Sequence, residues 1–388
     1  MKRTPWAIAA LALTAMLAAC GGDGGADTST SVRISALRVM GDSLADVGTF
    51  GGVRATVQGS ENLMYPERIG LAYGLGRGCS FFTFTGTTFA PNPTAGCLNY
   101  AIGGGVINGA ASGLNPADPR IVNVQLATAT AAGNFGPDEL LLIDGGGNDA
   151  AALVGAYLRA GTQSGAAAYL GLLGTLLTQA QVDAAAAGGA AGLAAAGGQY
   201  MQALADRFAD QLRDGALAKG ARRIALLNMP GITNTPRFQA VLDGIAAASG
   251  GGATGAAARA QSEALFKGWV EAFNARLASR FAGNSAVVVV DFYTAFNDQV
   301  ANPGQYGLSN VRGTACPILG LGSDGLPSYD FVTCSDAALS AATPPAGATG
   351  GANWWRSYAF SDGFHPTPYG HQLLSQLISL SLARAGWL

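Results

Sequence analysis

Four short polar stretches, far apart along the chain, hold the residues able to do chemistry. The first is Gly41-Asp42-Ser43-Leu44-Ala45-Asp46-Val47-Gly48, which follows the apolar run Ala36 to Met40. A serine on a tight turn leaving a strand is presented as a nucleophile would be, although a helix cap or turn serine looks the same. It is not the G-x-S-x-G elbow, because Ala45 stands in place of the second glycine. The second stretch is Ser361-Asp362-Gly363-Phe364-His365-Pro366-Thr367. A serine hydroxyl is a weak nucleophile at neutral pH and needs a general base, a task that suits histidine with its reference pKa of about 6.5. That base needs a carboxylate to hold its tautomer and orientation. Asp362 lies three residues before His365, so one short loop can carry both. The chain has two histidines. The other, His371, falls one turn into a predicted final helix and reads as packing or support.

The third stretch, Asp144-Gly145-Gly146-Gly147-Asn148-Asp149, also follows an apolar run. The Asn148 amide can donate to an oxyanion, and the glycines let backbone approach a ligand closely. In the fourth, Asn99-Tyr100-Ala101-Ile102-Gly103-Gly104-Gly105, a glycine N–H can be a further donor. Neither glycine run has the G-K-[ST] ending of a P-loop or the G-x-G-x-x-G spacing, so nucleotide binding is disfavoured. No C-x-x-C occurs and only two histidines are present, which argues against a zinc site.

In this order the four stretches resemble the SGNH/GDSL hydrolase family. By that resemblance Ser43 is the nucleophile, and Asp362 and His365 complete the triad. The oxyanion hole takes the backbone of Ser43, Gly104 (Gly103 as the alternative) and the side chain of Asn148. Pro366 matches the proline that often follows the family's histidine. Leu227-Asn228-Met229-Pro230 and Tyr306-Gly307-Leu308-Ser309-Asn310-Val311 extend the resemblance, the latter toward the catalytic domain of bacterial outer-membrane esterases. Thr49 departs from it, standing where the family commonly has asparagine. The resemblance covers Leu37 to Gly370. It implies an α/β fold, a three-layer α/β/α sandwich with a central, mostly parallel five-stranded sheet of flavodoxin-like type. It also implies a serine carboxylic-ester hydrolase, an esterase or lipase, working through an acyl-enzyme without a cofactor. An acyltransferase or a carbohydrate O-deacetylase would use the same triad. A non-catalytic surface lipoprotein is the alternative of a different class.

The elements that must position these residues are legible as short apolar runs alternating with helical patterns, the signature of a parallel sheet covered by helices. The predicted strands are Ala36 to Met40, Leu140 to Asp144, Arg223 to Asn228 and Ala286 to Asp291. Ligands of open α/β sheets sit beyond the carboxyl ends of the strands, where three of these runs meet turn residues. Predicted helices are Gln199 to Lys219, stopped by Gly220, then Ala256 to Phe281, and a last one from Pro368. Ala184 to Gly198, nearly pure Ala and Gly, reads as a loop or a loose helix. Phe81, Phe82, Phe84, Phe89 and Trp354-Trp355 either line an acyl or aryl pocket or cover the sheet edge.

Of 388 residues, 49% are apolar and 12% charged, too few charges for a solvated disordered chain. The 57 glycines follow no three-residue period, which excludes collagen. With 22 Lys and Arg against 24 Asp and Glu there is no basic excess for nucleic acid. Lys2, Arg3 and the apolar run Trp6 to Ala19 read as a signal peptide over residues 1–19, too short to span a bilayer. Leu17-Ala18-Ala19-Cys20 resembles a bacterial lipoprotein signal, with Cys20 lipidated. Residues 20–33 then form a flexible tether and residues 34–388 the hydrolase domain. The expected place is the outer membrane as a lipoprotein or the cell surface, alternatively the periplasm or the medium. The expected partners are an ester substrate and, through the anchor, a membrane. Four cysteines remain, an even number in an exported chain. Cys79–Cys97 and Cys316–Cys334 is the simplest of three possible pairings.

Overall fold

The computed structural model describes residues 32–388. The predicted signal peptide, Cys20 and the tether up to residue 31 lie outside the described residues. Ten strands follow in chain order among them: β1 (Ala36–Met40), β2 (Phe82–Phe84), β3 (Phe89–Pro91), β4 (Glu139–Ile143), β5 (Ile224–Leu227), β6 (Val287–Val290), β7 (Asn310–Thr314), β8 (Gly320–Leu321), β9 (Pro327–Ser328) and β10 (Tyr358–Phe360). The first six helices are α1 (Tyr65–Ala72), α2 (Val122–Ala129), α3 (Gly147–Arg159), α4 (Gln163–Leu173), α5 (Gln179–Ala187) and α6 (Gly189–Gly215). Five more follow: α7 (Pro236–Ala248), α8 (Gly252–Phe281), α9 (Phe292–Ala301), α10 (Asp336–Ala341) and α11 (Pro368–Arg384).

The central sheet is parallel, in the order β1-β4-β5-β6. Strands covered on both faces read as unbroken apolar runs, as Leu140 to Ile143 and Ile224 to Leu227 do. Alternate residues point to opposite faces. Met40, Leu141, Ile143, Ile224 and Leu226 join α3, α6 and α8 in one core; Val39, Leu140, Leu142, Ala225 and Leu227 join α1, α9 and α11 in the other. Two cores on the two faces of one sheet make the three layers.

The sheet has four strands where five are expected. The fifth place, beside β1, holds only a bridge between Val39 and Asn99. Around that bridge residues 98–102 stay against β1, with Val39 N donating to Leu98 O, Tyr100 N to Val39 O and Ile102 N to Gly41 O, but Gly41 N donates to the Gln125 side chain and not back to this segment, so no full ladder forms. Of the predicted strands, β1 has the expected bounds and β4, β5 and β6 differ by one residue at each end.

The Ala/Gly stretch is helical, in α5 and the first turns of α6, and it has a packing role. A Cβ on Gly197 would sit 2.2 Å from the Trp269 ring, whose Nε1 donates to Ala194 O. The absence of side chains lets α8 lie tightly on α6. The expected α6 end at Lys219 comes earlier, at Gly215, followed by a single 3-10 turn over Leu217–Lys219. Disulfides join Cys79 to Cys97 and Cys316 to Cys334, a pairing that suits an oxidising, exported environment. No described helix is long and apolar enough to cross a membrane.

Candidate active site

The turn after β1 is set by close approach. Gly41 has φ +154°, and a Cβ there would lie 1.9 Å from Asp144 Oδ1. That oxygen accepts from Asp42 N at 3.0 Å, so only glycine lets the ends of β1 and β4 come this close. Gln125 of α2 clamps the same glycine, accepting from Gly41 N and donating to Gly41 O. The turn then closes on Asp42, whose side chain accepts from Leu44 N and whose carbonyl accepts from Ala45 N and Asp46 N. Ser43 sits at its crest, half-buried.

Asp46 ties this turn to the glycine run. Its Oδ1 accepts from Gly48 N and Thr49 N, and its Oδ2 accepts from Gly103 N at 2.9 Å. Gly103 therefore has its N–H spent, whereas Gly104, exposed and at φ +78°, lines the same cleft as Ser43. Asn148, in the first turn of α3, donates from Nδ2 to Gly105 O at 2.9 Å, which leaves its second amide hydrogen for the cleft. Among the described residues, the N–H groups of Ser43 and Gly104 donate to no protein acceptor. Three donors thus border one cleft.

The remaining wall comes from the loop after β10. Ser361 N donates to His365 O at 2.8 Å, closing the loop, and Thr367 caps α11 by accepting from Gly370 N. Asp362 Oδ1 accepts from Phe364 N and His365 N, at 2.8 and 2.6 Å. His365 Nδ1 lies 3.0 and 2.9 Å from the two Asp362 oxygens, and Nε2 lies 2.7 Å from Ser43 Oγ. Burial pushes His365 down, but the Asp362 charge and hydrogen bond, with Asp42 beyond, hold it above the usual histidine value. Burial likewise works to raise Asp362, and the imidazole and its backbone donors hold it below the usual carboxylate range. The pair thus favours a carboxylate next to an imidazole that readily takes a proton. Burial raises Asp42, and raises Asp144 well above its usual range with the Asp42 charge adding to it.

The cleft has a volume of about 380 Å³. Its mouth is built by Arg237 of α7, by Phe364, and by Pro327, Tyr329 and Phe331 of the Cys316–Cys334 loop. The structure therefore brings together Ser43, Gly104, Asn148, Asp362 and His365. It does not bring the predicted aromatics there: Phe84 and Phe89 cluster with Phe50, Phe81 and Phe82 pack on Tyr100, and Trp354 and Trp355 are buried in a small core beside Cys316 and Cys334. They cover the fold. His371 is fully buried beside Tyr65, with ring centroids 6.1 Å apart, and does not line the cleft. Among the described residues no group of three or more His, Cys, Asp or Glu is arranged to hold a metal ion.

Sequence reasoning missed Gln125, Asp46, Tyr329 and Phe331. Asp46 was visible inside the first polar stretch, whereas nothing local marked Gln125, which shares its short helix with Asn123 and Thr128. The two aromatics carried one signal, their place between paired cysteines. The family model for GDSL-like Lipase/Acylhydrolase matches residues 37–378. No curated protein matches the chain.

Proposed function

The chain belongs to the GDSL-like lipase/acylhydrolase family, and from that premise we propose that it is a serine carboxylic-ester hydrolase with Ser43, His365 and Asp362 as its triad. The observation that carries this reading is the run of contacts from Ser43 Oγ through the imidazole to Asp362. His365 Nε2 takes the Ser43 proton as Oγ attacks the ester carbonyl carbon. The carbonyl oxygen becomes an oxyanion, received by the N–H groups of Ser43 and Gly104 and by Asn148 Nδ2. As the C–O bond to the alcohol breaks, His365 returns the proton to the leaving oxygen. Water then attacks the acyl-enzyme with His365 again as base, releasing the acid and restoring Ser43. Asp362 keeps the Nδ1 proton in place and stabilises the imidazolium.

Ser43→Ala tests the assignment. A fluorophosphonate probe labels the wild-type protein and not the variant, and hydrolysis of p-nitrophenyl acetate falls to near background in the variant. Wild-type rates in purified Ser43→Ala would move the nucleophile elsewhere.

Export belongs to the same proposal. Residues 1–19 act as a signal peptide, Cys20 carries the lipid, residues 20–33 tether the domain 34–388, and the protein stands at the outer membrane. The Cys20 motif and the two disulfides support this reading.

A further inference from the structure

Nine large apolar side chains are exposed among the described residues, and the four most exposed lie in one loop. Ile318 is 58% exposed, Leu319 61%, Leu321 72% and Val332 68%, all between Cys316 and Cys334. Several contacts pin this loop. The disulfide closes its base, Leu319 N donates to Ser328 O, Gly322 N donates to Leu326 O, and Asp324 pairs with Arg237 of α7 at 2.5 Å. Its inner residues Pro327, Tyr329 and Phe331 line the cleft that holds Ser43. One pinned loop thus has an apolar outer face beside the mouth and an aromatic inner face on the cleft.

The charges narrow what covers the outer face. The loop contains no Lys or Arg. Of its two acids, Asp324 is paired with Arg237, whereas Asp330 accepts from the neutral donors Val332 N and Thr333 Oγ1 and keeps its negative charge. With no cation and one uncompensated carboxylate it repels an anionic surface, and its most exposed side chains are all apolar. It matches the boundary of an uncharged or zwitterionic apolar phase, into which exposed Leu and Ile transfer favourably. A phase of that kind also accounts for the two faces together, because an ester drawn from it passes Tyr329 and Phe331 on its way to Ser43. We propose that the Cys316–Cys334 loop docks the protein on assembled neutral or zwitterionic amphiphiles and that the cleft draws its ester from that assembly. The docking stands on the loop alone; the drawing of an ester rests on the ester-hydrolase reading.

Leu321→Trp reads the docking directly. With phosphatidylcholine vesicles brominated on their acyl chains, the added emission is quenched relative to plain vesicles, beyond any change in wild type. Bromine quenches only at short range, so attachment through another part of the chain does not imitate this. Equal emission in both vesicles overturns the proposal. Leu319→Ser/Leu321→Ser reads the consequence. Its rate on a long-chain ester dispersed in zwitterionic micelles falls at least about tenfold, since two leucines no longer leave water, while its rate on dissolved p-nitrophenyl acetate is unchanged. An unchanged micellar rate, or an equal fall on both esters, overturns the proposal. So does a dimer in lipid-free sedimentation that the double variant dissociates, because the loop would then cover a second copy. If wild type leaves p-nitrophenyl acetate intact while the Leu321→Trp emission is quenched, the ester-hydrolase reading fails and the docking stands.

Discussion

Asp362→Asn isolates the orienting carboxylate with little disturbance of shape. Asp362 Oδ1 accepts from Phe364 N and His365 N, and an asparagine carbonyl oxygen can keep both bonds, so the loop holds. Oδ2, 2.9 Å from His365 Nδ1, is replaced by an NH₂ group. A donor facing Nδ1 favours the tautomer with the proton on Nε2, which then points an N–H at Ser43 Oγ instead of a lone pair. The base is blocked although no atom has moved far. Loss of the correct tautomer costs about 10⁴ in kcat, about 5.4 kcal/mol of transition-state stabilisation. A second signature accompanies the loss. Burial lowers His365, and the Asp362 carboxylate with Asp42 reverses this, holding it above its ordinary value. The neutral imidazole is the working form, so kcat/KM climbs as pH rises through the folded-state pKa. In wild type that climb is centred above about pH 6.5; in Asp362→Asn, with the largest opposing charge removed, it moves to lower pH. The assay is kcat and kcat/KM for p-nitrophenyl acetate across the range in which histidine titrates, with thermal melts by circular dichroism to show that the variant is folded. A folded Asp362→Asn that keeps more than a tenth of wild-type kcat, or whose acid limb stays put, refutes the argument.

Asn148→Ala removes one of three proposed oxyanion donors and should lower kcat about 10²–10³-fold with little change in KM; initial-rate kinetics check this, and a change confined to KM would reassign Asn148 to ground-state binding. His371 gives a prediction about stability. It is buried with both ring nitrogens unpartnered, and burial first, then the His365, Arg68 and Arg54 charges, lower it to about 3. A folded-state value below the unfolded one contributes stability above the unfolded pKa of about 6.5 and loses it as pH falls from there toward the folded value. Wild-type stability should therefore fall with acidification, this residue's share approaching about 1.4 kcal/mol per pH unit. Urea midpoints at neutral and mildly acidic pH should differ less in His371→Leu, and an equal acid loss in both proteins would count against the account.

What the sequence made legible is local, and what it hid is nonlocal. The strand cores and the serine turn follow from runs of a few residues: Leu140 to Ile143 must lie in a sheet covered on both sides, and a polar turn follows at once. Asp362 and His365 were legible because three residues separate them, close enough for one loop to fix both. The choice of Gly104 over Gly103 was not settled by sequence, since either glycine can turn an N–H outward. It depends on Asp46 occupying the Gly103 N–H, a contact across 57 positions of chain. The missing fifth strand has the same origin, because the Gly41 N–H that would continue the ladder is taken by Gln125, 84 positions away. For the aromatics the sequence left two readings open, pocket or cover, and the structure takes the second. Phe81 to Phe89 and the two tryptophans were apolar, clustered and near the site blocks in sequence, and those are also the properties of residues that cover a core. Tyr329 and Phe331 line the cleft for a reason that composition does not carry: a disulfide and the Arg237–Asp324 pair fold their loop back onto the mouth. The residues proposed to hold the reacting atoms are therefore set by short motifs, and the residues at the mouth of the cleft are set by a loop whose position depends on contacts far away in sequence. That division is why an ester-hydrolysing family is readable from this chain, while the lining of its cleft depends on how the Cys316–Cys334 loop is held.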